Sequence, residues 1–189
     1  PTLDVFKNGL TEQILGMNPL EPEKIYNKLF NLTATRLASE NGWVREALIR
    51  ASAAVDIACW DILGKMANMP LYKIFGGFTN KVPCYVTCAY YREGKDLSEL
   101  KDEIQKLLEQ GHKGFKAKVG GLSLIEDLER MELIRDIIGS DNDLMIDVNR
   151  AWDLKTAIEG ARLLEPLNPS WLEEPVRWID DRRELKLLS

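Results

Sequence analysis

The sequence is poor in the residues that most often announce a metal or redox site. It has one histidine, His112, and three cysteines, Cys59, Cys84 and Cys88, in 189 residues. The cysteines are odd in number and sparse, and no paired CxxC occurs, so a structural zinc site is excluded and three buried, reduced thiols are expected. No apolar run approaches the roughly 18 residues that a membrane-spanning helix needs. The first eight residues lack the charged and apolar regions of a signal peptide, and the expected location is cytoplasmic. An excess of basic charge is also missing: 25 Lys and Arg stand against 30 Asp and Glu, for a net charge of -5. Such a chain has no electrostatic reason to bind nucleic acid or an anionic membrane. The chain begins without Met, and the helical pattern of residues 180–189 carries no stop signal. Both features lead to the expectation that the ends are not natural ones.

What is present is a globular composition, 45% hydrophobic and 29% charged, with a change of rhythm near residue 80. Before it, the pattern is helical. Pro22 suits a helix start, and Ile25, Leu29 and Leu32 follow at helical spacing. From Arg45 to Met66, Leu48, Ala51, Val55, Ala58 and Ile62 recur at steps of three and four. The remaining faces carry Ala54, Ile57, Cys59 and Trp60, so this helix is expected to be buried nearly all round. After Lys81, the β-branched and aromatic run Val82 to Tyr90 predicts a strand, with Cys84 and Cys88 on one side of it. A helix from Asp96 to Gln110, closed by Gly111, and a strand from Gly114 to Val119 follow. Ser123 and Glu126 form a capping box for a helix reaching about Ile138. A strand at Asp143–Val148, a helix capped by Asp153 and ending near Pro166, a strand beginning at Trp171-Leu172 and a helix from Asp180 complete the series.

Four β-α units with strands about 30 residues apart imply an α/β fold with parallel strands and helical crossovers. A doubly wound sheet and a (β/α) barrel both fit, and in both the chemistry sits at the carboxyl ends of the strands. No GxGxxG follows the first strand, which argues against a dinucleotide site.

Three of those strand ends are charged. Lys116 and Lys118 share one face of the second strand. In a partly desolvated mouth, two like charges should depress at least one lysine pKa and fit it to act as a base. Asp147 and Asn149 share a face of the third strand and suit a hard cation and a substrate oxygen. Glu173 and Glu174 end the fourth. Asp147 and Glu173 are 26 residues apart, one β-α unit, which puts them on adjacent strands. Taken singly, each pair also reads as solvated strand-edge or turn residues. His112 lies between the first helix and the second strand, at the opposite end, and reads as an ordinary loop residue.

At this point the sequence resembles the mandelate racemase and muconate lactonizing enzyme family of the enolase superfamily. Residues Ala53-Ala54-Val55-Asp56-Ile57-Ala58-Cys59-Trp60-Asp61-Ile62-Leu63-Gly64-Lys65 resemble the helical signature that closes the family's capping domain. Pro70-Leu71-Tyr72 through Gly76-Gly77 resemble its link into the barrel, and Gly114 to Gly120 its Lys-x-Lys strand. Asp147-Val148-Asn149 and Trp171-Leu172-Glu173-Glu174-Pro175 resemble the strands that carry its first two metal ligands.

The resemblance implies an α+β capping domain on a (β/α)7β barrel. Residues 1–80 would be the C-terminal helical part of the capping domain, and residues 81–189 the first half of the barrel. Lys118 would be the base at the substrate α-carbon, and Lys116 would help neutralise the substrate carboxylate and tune Lys118. Asp147 and Glu173 would bind Mg²⁺, Asn149 would contact substrate, and Glu174 would not be a ligand. The implied reaction is removal of the proton α to a carboxylate through an enediolate. Dehydration of a sugar acid is favoured by the polar and aromatic run Asn149 to Trp152. Racemisation, epimerisation and muconate-type cycloisomerisation are the alternatives. The family's third metal ligand and second acid-base group lie on later strands, and the start of its capping domain lies earlier. The chain alone is therefore expected to be an inactive fragment, and the full-length enzyme a homo-oligomer acting on a small carboxylate.

Overall fold

A computed structural model of the chain describes residues 2–177 and 181–188. The chain divides into two compact units, one up to Val82 and one from Pro83 onward.

The first unit is helical: α1 (Thr2–Val5), a π-helical turn (Phe6–Leu10), α2 (Thr11–Ile14), α3 (Pro22–Leu32), α4 (Arg36–Glu40), α5 (Arg45–Ala67) and α6 (Leu71–Ile74). Pro22 opens α3, where a missing N–H costs nothing, and Ile25, Leu29 and Leu32 are all buried. They join Ala47, Leu48 and Ala51 of α5 and Trp43 in one core. Trp43 also donates its indole N–H to the Asn8 carbonyl at 3.0 Å. The expectation that α5 is buried all round fails. Only Ala47, Leu48, Ala51, Ser52, Cys59 and Gly64 are buried, while Ile57 and Met66 are largely exposed. Within this unit α1, α3 and α6 pack on α5, Trp60 meets the Phe75 ring edge-on at 4.8 Å, and Ile57 and Met66 stay open.

The second unit alternates β1 (Val86–Cys88), α7 (Leu97–Glu109), β2 (Gly114–Lys118), α8 (Leu124–Ile138), β3 (Asp143–Asp147), α9 (Leu154–Leu164), a 3-10 turn (Glu165–Leu167), β4 (Trp171–Glu173) and α10 (Asp181–Leu188). The local signals act as written in the sequence. Asp96 and Asp153 accept from the backbone N–H groups of Glu99 and Thr156, and the Ser123–Glu126 capping box is complete. The expected helix start at Asp180 lies outside the described residues.

The strands are all parallel and in the order β1-β2-β3-β4. Phe115, Ala117, Leu144 and Ile146 form one core with Leu100 and Ile104 of α7, Met131 and Ile134 of α8, and Ala157 and Leu164 of α9. All three crossover helices therefore cover the same face. A doubly wound sheet would reverse strand order and carry helices on both faces. This unit is instead a run of four β-α units of a (β/α) barrel, and the opposite face is the barrel interior. Among the described residues no helix is long and apolar enough to cross a membrane.

The first strand is shorter than expected. It pairs with β2 over three residues, and Ala89 then turns the chain aside at a φ of 57°. Cys84 falls outside the strand and is exposed, so it does not share a buried face with Cys88, and only two of the three thiols are buried.

Candidate active site

Period-two alternation brings Lys116 and Lys118 to the interior face at the end of β2, and the parallel register does the rest. Lys118, Asp147 and Glu173 occupy one row across β2, β3 and β4. The Lys118 Nζ donates to Asp147 Oδ2 at 2.7 Å and to Asn149 Oδ1 at 2.8 Å. The Lys116 Nζ lies 3.2 Å from Asp147 Oδ2 and 3.0 Å from Glu173 Oε1. All five residues singled out in the sequence thus meet in one cluster. Asp147 is 2% exposed, the lysine side chains 12% and 14%, and Glu173 36%, so the cluster opens to solvent at Glu173 and at the exposed Asn149.

The charges in this cluster decide each other's protonation. Burial raises the Asp147 carboxyl, but hydrogen bonds from Lys118, the Asn149 N–H and Lys116 outweigh it and hold the pKa below its ordinary value. Burial likewise lowers Lys116, but Glu173 and Asp147 outweigh it, and its pKa lies above the ordinary lysine value. The expectation of a depressed lysine fails for Lys116. Both lysines stand on β2, and each faces a carboxylate of another strand, Lys118 at 2.7 Å and Lys116 at 3.0 Å; for Lys116 the opposite charge dominates.

The backbone is strained around the same place. Six non-glycine residues among those described have positive φ, and four of them, Ala89, Asn149, Arg150 and Glu174, lie at the carboxyl ends of β1, β3 and β4. Such conformations each cost on the order of 1–3 kcal/mol and cluster at functional sites. Glu174 stands apart from the cluster, with Oε2 3.3 Å from Arg150 Nε. His112 sits in the α7–β2 turn, where its N–H reaches the Leu107 carbonyl, at the amino end of β2.

Aromatic neighbours of the cluster were not foreseen. The Tyr85 ring lies 5.5 Å from Lys116 Nζ and the Tyr90 ring 5.7 Å from Lys118 Nζ. Trp171 donates its indole N–H to Glu173 Oε2 at 3.1 Å. Period two on β4 could have found Trp171, two residues before Glu173. Nothing in the sequence marks Tyr90, because the turn at Ala89 breaks the alternation.

The donor set fits a hard divalent cation. Asp147 and Glu173 already converge on one cationic nitrogen, and both offer carboxylate oxygens, which Mg²⁺ takes one or two at a time with water and substrate oxygens completing the shell. Among the described residues no third Asp, Glu, His or Cys joins them.

Comparison with known proteins decides the family. The mandelate racemase / muconate lactonizing enzyme N-terminal domain family matches residues 6–76, and the enolase C-terminal domain-like family matches residues 99–189. The chain belongs to the mandelate racemase / muconate lactonizing enzyme family of the enolase superfamily. It is 41% identical over 133 residues to arabinonate dehydratase of Saccharolobus solfataricus, covering 70% of this chain and 36% of that protein. It is 34% identical over 171 residues to L-talarate/galactarate dehydratase of Salmonella typhimurium, covering 90% of this chain and 41% of the relative. A racemase from Streptomyces coelicolor, solved with bound magnesium, superposes with a TM-score of 0.82 at 30% identity, over 98% of this chain and 54% of that one. The chain thus spans well under two thirds of the length of these relatives. As a partial enolase-type barrel it carries the whole charged cluster within the C-terminal match, and the N-terminal match falls within the helical unit.

Proposed function

We propose that the full-length protein abstracts the proton α to the carboxylate of a small acid, with Mg²⁺ as cofactor, and that the acid is a sugar acid that loses water. One observation carries the reading: two lysines and two carboxylates from three adjacent strands converge within hydrogen-bond distance on the interior face of the barrel. The similarity to two sugar-acid dehydratases supports the substrate class.

Lys118 is the base at the α-carbon, and Lys116 pairs with the substrate carboxylate. Asp147 and Glu173 hold Mg²⁺, and Asn149, already within reach of Lys118, contacts a substrate oxygen. Mg²⁺ bound there would supply a Lewis acid for the substrate carboxylate, and would share the two carboxylates whose charge raises the Lys116 pKa. Removal of the α proton and loss of the β-hydroxyl as water leave an enol, which becomes a 2-keto-3-deoxy acid. Residues 1–80 are then the helical part of the capping domain and residues 81–189 the first half of the barrel, in a cytoplasmic homo-oligomer.

The similarity to a racemase favours a second reading, racemisation or epimerisation of the same kind of acid, with cycloisomerisation beside it. The test is to incubate the full-length natural protein with Mg²⁺ and a panel of sugar acids in D₂O and to follow them by NMR. A 2-keto acid product establishes dehydration. Deuterium at the α-carbon without elimination establishes the second reading. No exchange on any acid would sink both.

A further inference from the structure

The ladder between β1 and β2 opens one residue before it needs to. Its last pair is Cys88 with Ala117, so the next rung would join Ala89 to Lys118. Ala89 instead adopts its positive φ while fully buried, the ladder stops there, and the Lys118 carbonyl and the Ala89 N–H and carbonyl all find partners other than a strand. Charged side chains from the two flanking helices take them. Glu103 of α7 accepts from the Ala89 N–H at 3.1 Å. Arg130 of α8 donates Nη2 to the Ala89 carbonyl at 2.6 Å and Nη1 to the Lys118 carbonyl at 3.1 Å. A guanidinium has the planar fork that bridges two acceptors, and here it replaces a rung.

Arg130 is itself held. It is 7% exposed, pairs with the 2% exposed Asp127 at 2.8 Å, and lies 4.2 Å from the centre of the Tyr91 ring. The remaining lone pairs of Asp127 take the Gly120 N–H at 2.6 Å and the Tyr91 hydroxyl at 2.5 Å, and that hydroxyl accepts from the Gly121 N–H at 3.1 Å. A Cβ on Gly121 would come within 2.6 Å of the Tyr91 ring, so the loops after β1 and β2 are locked face to face. Replacing such a buried ion pair by apolar side chains is often neutral or better for stability, so stability alone is a weak reason for it. What the pair does geometrically is hold the β1–β2 fork open. The open fork lets the chain leave Ala89 so that the Tyr90 ring stands over the Lys118 ammonium.

We propose that Arg130, locked by Asp127 and Tyr91, is a positioning residue that sets the end of β2 and the Tyr90 ring, and through them the place of Lys118 Nζ in the site. This rests on the reading of Lys118 as the base. Arg130→Ala would strand Asp127 without a cation and risks unfolding, so the variant is Arg130→Lys, which keeps the charge but has one nitrogen where Arg130 uses two to reach the two carbonyls. The full-length natural protein is compared with this variant, with Lys118→Met and with Asp147→Asn. The readouts are kinetics, Mg²⁺ affinity and NMR of [13C]lysine-labelled protein, in which the Tyr90 ring, 5.7 Å from Lys118 Nζ, should displace the Lys118 Hε signal. For Arg130→Lys, kcat should fall about 10- to 100-fold, as for a misplacement on the scale of 1 Å. KM and Mg²⁺ affinity should hold within about two-fold, and the Lys118 signal should move toward those of solvent-exposed lysines. A lower melting temperature with kcat and the Lys118 signal both unchanged would make Arg130 merely structural and overturn the inference. If the wild type shows no turnover, and Lys118→Met and Asp147→Asn alter no α-proton exchange, the functional reading fails on its own. The Lys118 signal in Arg130→Lys then decides the positioning: a shift upholds it and an unmoved signal overturns it.

Discussion

At the scale of single residues, the site is a problem in charge balance. Asp147 is almost fully buried and shared by two ammonium groups. Asp147→Asn keeps the shape but leaves both lysines short of a counter-charge, so we expect a loss of about 3 kcal/mol at pH 7, the lower end for a broken buried pair. The folded pKa of Asp147 is lowered, so its contribution is complete above the unfolded value of about 3.9 and is lost as pH falls through the folded value. Urea unfolding of the two proteins should therefore differ at pH 7 and converge as pH falls below about 4. A gap that persists at low pH would mean that packing, not ionisation, is what the substitution damaged. Lys116, Lys118, Asp147, Asn149 and Glu173 were legible because strand alternation and one β-α spacing suffice to place them together. Their protonation was not legible, since it depends on which charge across the sheet lies nearest.

At the scale of elements, signals that act within one turn of chain could be read, and those that act between turns could not. The capping box of α8 was plain in the sequence, and Ser123→Ala should cost about 1 kcal/mol. The other end of α8 depends on Arg135, which donates to the carbonyls of Gly139 at 2.9 Å, Asn142 at 2.8 Å, Leu167 at 2.9 Å and Asn168 at 3.2 Å. Two of those acceptors lie more than 30 residues away, and no local pattern announces them. Arg135→Ala should therefore cost more than Ser123→Ala, on the order of 3 kcal/mol, because charge-assisted bonds to several carbonyls go at once. Thermal melts of the two variants, side by side, check the ranking, and an equal cost would show that water replaces the guanidinium freely. A similar contrast governs α9. Its Asp153 cap was evident, but the need for Gly160 was not: a Cβ there would meet the buried Trp152 ring at 2.8 Å. Gly160→Ala, a substitution that favours an isolated helix, should here destabilise by about 1–3 kcal/mol through overpacking. A rise in melting temperature would contradict that packing.

At the scale of the whole molecule, the alternation of elements was enough to narrow the fold to two, and the side of the sheet that the helices take was needed to choose between them. The length of β1 was misread because the turn at Ala89 breaks the strand, and the burial of α5 for another reason. An apolar residue in a sequence raises the expectation of a partner but does not supply one. The described part of the barrel has that character throughout. Its strands β1 and β4 each pair on one side only among the described residues, and Tyr85, Tyr90 and Trp171, on or beside its interior, are 41%, 56% and 40% exposed. Parallel sheets are rarely stable with a bare face, and unpaired strand edges template association with other chains. We therefore expect the 189-residue chain alone to self-associate and to show no turnover, with light scattering giving a mass above the 21.5 kDa of one chain. Co-expression with a polypeptide that supplies the rest of a barrel should restore a single species, because further strands would cover both edges and the interior face together. Monomeric, soluble and active material from the 189 residues alone would refute this and would require the exposed face to be tolerated in water.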